Sequence, residues 1–530
     1  MLHEISYVLP DQEVLFQNIS VYLNRGGKAG LIGNNGIGKS TLMKIMAGQV
    51  SPASGTVSTG TKPYYIPQAL GQFDHLTVTE ALGVSEPLNA LHRILAGEVT
   101  EENLEALNDE WDLEEKCREA LEHWGIRTVG LDREMSTLSG GEKARVFLAG
   151  IRIHQPDLVL MDEPTNHLDT LSRSRLYDFM KDSPATMLVI SHDRTLLDYM
   201  HSILELTPRG ITAYGGNYSF YKDQKKLLSE SAEAGMRSKE KELKKAKEKE
   251  RQATERQLKM DARGKKKQEK AGVARIMMNT LRNSAEKSTS RLKDVHEDKV
   301  AAISEELREL KTRVPDIDRM KFGFEDSVLH KGKVLFSAEA LNWKYDGQVL
   351  WKESLDFQIE SGDRIAVKGR NGSGKSTLMK IISGGLTPES GKVYRAEGRR
   401  VYVDQDYSLL DPDKTVYEQV QAFNTLAVPV HEVKMNLHRL LFPKEDWDKP
   451  CAALSGGERV RLMLCCITIG GTSPDMIILD EPTNNLDIPS LEILTAAVKA
   501  YKGTLLLISH DQAFADEVNV TREINLDNFI

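Results

Sequence analysis

The sequence predicts an α/β protein built twice: two tandem domains, each a mostly parallel sheet covered by helices, joined by a long α-helical hairpin linker. Three observations predict it. Long motifs recur: GNNGIGKSTLMKIMAG at Gly33–Gly48 returns as GRNGSGKSTLMKIISG at Gly369–Gly384, and MDEPTNHLD at Met161–Asp169 returns as LDEPTNNLD at Leu479–Asp487. Short apolar runs (LVLMDEP, TMLVISHD, MIILDEP, TLLLISHD) alternate with helical patterns, and strands apolar on both faces belong in a parallel sheet covered on both sides. A highly charged stretch almost without helix breakers lies between the two copies.

The 530 residues suit about three domains at ~100–200 residues each. The repeats place these at 1–219, 220–330 and 331–530. Spacing between matching residues is uneven. Lys39 to Lys375 is 336 positions and Gln68 to Gln405 is 337, whereas Ser139 to Ser455 is 316 and both Asp162 to Asp480 and His192 to His510 are 318. The first copy therefore carries 21 extra residues, the difference between 337 and 316, between Gln68 and Ser139. Helical periodicity at Leu88, Leu91, Leu95, Leu104 and Leu107 places them in a small helical insert over about 87–111.

In the linker, SKEKELKKAKEKERQATERQLKMDARGKKKQEK reads as one helix, with Gly264 and Gly272 marking its break. A second helix runs over about 284–314, with Leu292, Val295, Ile303, Leu307 and Leu310 as its seam and Pro315 as its stop. Two such helices make an antiparallel hairpin ~60 Å long.

Composition removes other classes. With 40% hydrophobic and 28% charged residues the chain folds rather than staying disordered. No run of 18 apolar residues can span a bilayer, and the N-terminus lacks a secretion signal. Cys117, Cys451, Cys465 and Cys466 have no metal-ligand spacing and read as reduced thiols in packed helices, which favours the cytoplasm. The net charge is −8, but Lys222–Arg313 holds 27 Lys/Arg against 17 Asp/Glu, a local +10 that leaves −18 for the rest. A basic segment within an acidic protein points to a charged partner.

Each motif asks for specific chemistry. Gly33, Asn34, Asn35, Gly36, Ile37, Gly38, Lys39, Ser40 and Thr41 form a GxxxxGK[ST] phosphate loop, repeated as Gly369, Arg370, Asn371, Gly372, Ser373, Gly374, Lys375, Ser376 and Thr377. The glycines let backbone N–H groups and the following helix start face an anion. The lysines neutralise β/γ oxygens, and Ser40 and Ser376 offer hydroxyls to Mg²⁺. Asp162 and Asp480 end apolar strands, where a carboxylate holds Mg²⁺ through water. Glu163 and Glu481 follow as general bases for an attacking water. His192 and His510, in SHD, suit a γ-phosphate contact, and Gln68 and Gln405 a Mg²⁺/water ligand. LSGGE places Ser139, Gly140 and Gly141, and again Ser455, Gly456 and Gly457, at a helix start, a second anion site without a lysine.

Together these elements resemble the ATP-binding cassette (ABC) superfamily over some 400 residues. The resemblance implies two ATP molecules held between the cassettes. Lys39, Asp162, Glu163 and His192 would face Ser455 and Gly457, and Lys375, Asp480, Glu481 and His510 would face Ser139 and Gly141. EPTNHLD with a charged linker between tandem cassettes resembles the ABC-F subfamily. That resemblance implies an ATP hydrolase with no transmembrane subunit, working as a monomer with intramolecular cassette pairing. It also implies binding to the ribosome near the E site, with the linker directed at rRNA and the P-site tRNA. Members act as translation factors or protect the ribosome from antibiotics, and the motifs are common to both. The insert matches the position of the family's arm but is short. The adenine-stacking aromatic falls at Tyr345 in the second copy; in the first, Tyr7 is either that residue or a core aromatic.

Nucleic acid is favoured independently by the linker tip over about 263–293. Arg263, Lys265, Lys266, Lys267, Lys270, Arg275, Arg282, Lys287, Arg291 and Lys293 are opposed only by Glu269 and Glu286. Phosphate backbones attract such a patch, with steep salt dependence. The apolar Ile276, Met277, Met278 and Leu281 at that tip serve either a base or nascent-chain contact or the hairpin's own packing.

Overall fold

The computed structural model describes residues 1–127, 129–268, 298–308, 332–345, 347–469, 473–484 and 486–529. The chain divides into two compact units: Met1–Ser219 together with Met320–Ile530, and Phe220–Arg319.

In the first unit each cassette is built on a main sheet. The first cassette's sheet orders its strands Tyr64–Ile66, Leu158–Asp162, Thr186–Ile190, Lys28–Ile32, Ser202–Thr207 and Gly210–Tyr214. All are parallel except the last, which pairs antiparallel with Ser202–Thr207. The second cassette orders Arg400–Val403, Met476–Asp480, Thr504–Ile508, Arg364–Lys368 and Arg522–Asn525, all parallel. The central strands carry apolar side chains on both faces and are buried throughout, as in Thr186–Ile190 and Thr504–Ile508. Leu42, Met43, Ile45 and Met46 on the helix after the first phosphate loop pack into one core with Leu160, Leu188 and Ile190. Leu378, Met379, Ile381 and Ile382 do the same in the second with Ile478, Leu506 and Ile508. Each phosphate loop is thus anchored between a buried strand and a buried helix.

The copies differ between sheet and LSGGE helix. Both begin with a short helix closed by a capping box, Thr77 with Glu80 and Thr415 with Glu418. The first copy then has the helices Ser85–Leu95 and Glu101–Leu107 before Leu113–His123, whereas the second passes directly from Val416–Phe423 to Val430–Arg439. The added pair buries Leu88, Leu91, Ile94 and Leu107 and exposes Leu95, Val99, Leu104 and Trp111.

In the second unit the long helix does not break at Gly264; Tyr218–Gln268 is helical over 51 residues. One glycine costs a helix about 1 kcal/mol relative to alanine, too little to stop one this long. Residues 298–308 are also helical. Lys239 Nζ lies 2.5 Å from Glu306 Oε2, and Ala232, Ile303 and Leu307 are buried, so two of the expected seam positions face packed surface. Leu292, Val295, Leu310, Pro315, Gly272 and the tip residues from Glu269 to Lys293 lie outside the described residues.

Candidate active site

Each phosphate loop requires backbone that only glycine adopts comfortably. Gly36 and Gly38 have φ of 81° and 98°, and Gly372 and Gly374 have 83° and 88°. Space forbids a side chain as well: a β-carbon on Gly38 would stand 2.7 Å from Leu15, and one on Gly374 would stand 2.5 Å from Leu350. Gly38 and Gly374 are the N-caps of Lys39–Met46 and Lys375–Ser383, and neither has a side-chain cap, so the first-turn N–H groups face the loop's concavity. Lys39 Nζ donates to the Gly33 and Asn34 carbonyls at 2.6 and 3.0 Å, and Lys375 Nζ to those of Gly369 and Arg370 at 2.7 and 3.0 Å. Burial lowers the pKa of both lysines, against the pull of the nearby acids.

Asp162 and Asp480 end their strands, and the next residue of each copy takes a left-handed turn, Glu163 at φ 52° and Glu481 at φ 51°. Positive φ on a glutamate is uncommon and is held here by the Glu163 and Glu481 N–H groups, which donate to Ile190 and Ile508 carbonyls. The turn aims each carboxylate at the histidine beyond the neighbouring strand. His192 Nε2 lies 3.2 Å from Glu163 Oε1, and His510 Nε2 3.3 Å from Glu481 Oε1, neither on the line of a hydrogen bond. Backbone N–H groups of the two histidines donate to the other carboxylate oxygens at 3.4 and 3.3 Å. Burial, then repulsion from Asp162, pushes Glu163 up to about 8. Burial pushes Glu481 up to about 7 against the opposing charge of Arg173. Burial pushes His192 down to about 3 and His510 down to about 4. Burial therefore disfavours the charged form of all four groups, making each glutamate a stronger base than a free carboxylate.

Two cavities gather these groups. One, of about 450 Å³, is lined by Leu9, Leu15, Asn35, Gly36, Gly38, Lys39, Ser40, Thr41, Gln68, Asp162, Glu163, Asn166, Ile190 and His192. The other, of about 480 Å³, brings Asn371, Gly372, Gly374, Lys375, Ser376, Thr377, Gln405, Asp480, Glu481, Asn484 and His510 together with Ser139, Gly140, Gly141, His167, Leu168 and Arg173 of the first cassette. The expected pairing of one copy's phosphate loop with the other's LSGGE is thus present in the second cavity. Among the described residues lining the first, Ser455, Gly456 and Gly457 are not found; the second cassette reaches it through Asp487, whose Oδ2 accepts the Asn35 N–H at 3.0 Å. Gly33, Asn34, Ile37, Gly369, Arg370 and Ser373 complete the loops without lining the cavities. Tyr345 sits in the two-residue strand Lys344–Tyr345, paired with Gln348–Val349. Tyr7 is half-buried and packs on Phe16, at a ring-centroid distance of 6.2 Å, against the first cassette's core.

Several contributors escaped the motif reading. LSGGE is a capping box: Ser139 Oγ accepts from the Glu142 N–H while Glu142 Oε2 accepts from the Ser139 N–H, and Ser455 and Glu458 repeat it. The S-x-x-E spacing carried that signal. Tyr402 donates its hydroxyl to Asp480 Oδ2 at 2.8 Å; Tyr65, at the matching place, was visible as a tyrosine three positions before each glutamine. Thr170 and Arg173, which reach the second cavity's chemistry from the other cassette, have no motif to announce them.

The donors present suit Mg²⁺. A serine hydroxyl, an amide oxygen and a carboxylate are hard oxygen ligands, and Asp162 and Asp480 each keep a buried Oδ1 without a hydrogen-bond partner among the described residues. No cluster of three or more His, Cys, Asp or Glu side chains able to hold a metal occurs among the described residues.

Comparison with known proteins agrees with this geometry. The ABC transporter family model matches residues 16–166 and 353–484. The energy-dependent translational throttle protein EttA of Escherichia coli (strain K12) is 32% identical over 547 residues, covering 98% of this chain and 90% of that protein. ABC transporter F family member 5 of Arabidopsis thaliana is 29% identical over 544 residues, covering 97% of this chain and 73% of that protein. Among solved structures, the RNase-L Inhibitor superposes with a TM-score of 0.61 at 20% identity, over 98% of this chain and 87% of that one, which speaks to the fold.

Proposed function

Since the chain belongs to the ATP-binding cassette family, in its F branch, we propose that it is a ribosome-associated ATP hydrolase that modulates translation through ATP-dependent pairing of its two cassettes. The observation that carries the ATPase part is the second cavity, where a lysine-bearing phosphate loop, an Asp–Glu strand end and a histidine meet the LSGGE helix start of the other cassette. Bound ATP places its phosphates against the loop N–H groups and Lys375, and the N-terminus of Gly140–His154 faces the far end of the triphosphate. Glu481 accepts the proton of the attacking water and His510 holds the carboxylate in place. Lys39, Glu163 and His192 take the same parts in the first cavity. Ser40, Gln68 and Asp162, and likewise Ser376, Gln405 and Asp480, would hold a Mg²⁺ ion, which would supply charge neutralisation to the phosphates.

The ribosome part rests on the relative named as a translational throttle and on the net charge of +8 over Arg263–Lys293. A patch of that charge suits rRNA and tRNA phosphates. No helix among the described residues is long and apolar enough to cross a membrane.

The double variant Glu163→Gln with Glu481→Gln tests the proposal. Loss of the general base is expected to slow hydrolysis about 10²–10⁴-fold while ATP binding persists, so the variant should co-sediment with ribosomes when ATP is present. Sedimentation free of ribosomes under those conditions would refute the reading.

A further inference from the structure

The two cavities are built from matching motifs, yet the groups that reach each one from the opposite cassette differ in kind. Beyond Asp169 and Asp487 the copies keep a constant offset of 318, so Thr170 corresponds to Ile488 and Arg173 to Leu491. Thr170 Oγ1 shares a hydrogen bond of 3.2 Å with Nδ1 of His510. At the first site the matching position is isoleucine, and His192 Nδ1 is buried without a hydrogen-bond partner among the described residues. Arg173 is 8% exposed, lines the second cavity beside Lys375, Glu481 and His510, and places a fixed positive charge there. The matching Leu491 is 1% exposed and apolar.

Arg173 is tethered from its own cassette. Its Nε donates to the Leu168 carbonyl at 3.2 Å, and Nη1 lies 3.5 Å from Asp193 Oδ2. A guanidinium held on two sides and set at the wall of this cavity of about 480 Å³, beside the phosphate loop's Lys375, is pre-organised, so it stabilises developing phosphoryl charge without reorganising. Its position on the facing cassette means that the charge arrives only when the cassettes are paired.

We propose that Arg173 is a trans-acting residue of the second cassette's ATP site, supplied by the first cassette to the terminal phosphate, with Thr170 orienting His510, and that the two ATP sites are therefore unequal, the second turning over faster. This rests on the ATPase part of the function proposed above and needs nothing of the ribosome. The structural alternative is that Arg173 serves only its ion pair with Asp193.

The test uses purified full-length protein without ribosomes and reads each site separately by single-turnover hydrolysis of Mg–ATP. Glu163→Gln leaves the second site as the active one, and Glu481→Gln leaves the first. Wild-type Arg173 should make the Glu163→Gln protein the faster of the two. Arg173→Met keeps the buried stem and removes the charge. It should lower the hydrolysis rate about 100-fold in the Glu163→Gln background, at least ten times more than in the Glu481→Gln background, with Kd for ATP changing less than the rate. Arg173→Lys should recover part of the loss. Equal losses in both backgrounds, or none in the first, would overturn the proposal. If Arg173→Met fails to fold, Leu491→Arg gives the converse: a faster first site supports the proposal and an unchanged one counts against it. Absence of hydrolysis in both backgrounds overturns the ATPase reading and the proposal with it.

Discussion

At the scale of the residue, Glu163 and Glu481 are held under strain. Each combines a left-handed backbone, nearly complete burial and an acid immediately before it. Burial raises the two carboxyls to about 8 and about 7 from an ordinary value of 4.5. A carboxyl raised on folding contributes stability below its unfolded value, and that contribution is lost as pH climbs through the folded value. The difference in melting temperature between wild type and the Glu163→Gln, Glu481→Gln variant, both free of nucleotide, should therefore move steadily against wild type from about pH 5 to about pH 8. The two histidines work in the opposite window. Depressed to about 3 and about 4, they favour the fold above their ordinary 6.5 and lose that contribution as pH falls. Because both proteins keep them, they cancel in the comparison. A difference that stays flat in thermal melts over this range would show that the glutamates ionise freely.

At the scale of the element, capping boxes close four of the short helices among the described residues. Helices of five to fifteen residues are marginal alone, and Thr77, Ser139, Thr415 and Ser455 each close one with a reciprocal Glu three residues on. The Ser139 box lines the second cavity, the Ser455 box repeats its motif, and the other two belong to neither motif, which separates stability from binding. Thr415→Ala should cost about 1 kcal/mol in chemical denaturation and leave the Kd for ATP unchanged. Ser455→Ala should cost a similar amount, and should also weaken ATP binding if its helix start meets nucleotide in the paired state. The linker helix shows the limit of such local signals. Gly264 is a breaker by propensity, but one weak link does not end a helix of 51 residues.

At the scale of the whole molecule, the cassettes meet through polar contacts that include Asn35–Asp487, Thr170–His510 and Arg194–Glu517. Arg194, 5% exposed, pairs with Glu517 of the second cassette, while its Nε and Nη2 are buried without hydrogen-bond partners among the described residues. A desolvated guanidinium depends on the partner it has. Glu517→Ala should therefore destabilise the cassette pair by about 1–3 kcal/mol, seen as a lower melting temperature, and should slow hydrolysis at both sites through loss of pairing. Arg194→Leu, which removes the stranded charge as well, should cost less. The reverse ranking would mean that Glu517 does not carry this contact.

The sequence by itself determined the duplication, the parallel-sheet class, the place of the insert, and the residues of each phosphate loop, strand-end acid and histidine. All of these depend on short-range patterns: glycine spacing, apolar runs and a constant offset between copies. Tyr402 and the capping role of Glu142 were legible in the same way once the offsets and the S-x-x-E spacing were followed. Only the tertiary structure decided which residues of one cassette enter the other's cavity. Thr170 and Arg173 stand in an ordinary helix start, and their relation to His510 and Glu481 crosses more than three hundred residues of chain. Local pattern cannot encode a contact made by packing two separately folded halves, and there the inequality of two otherwise repeated sites becomes visible.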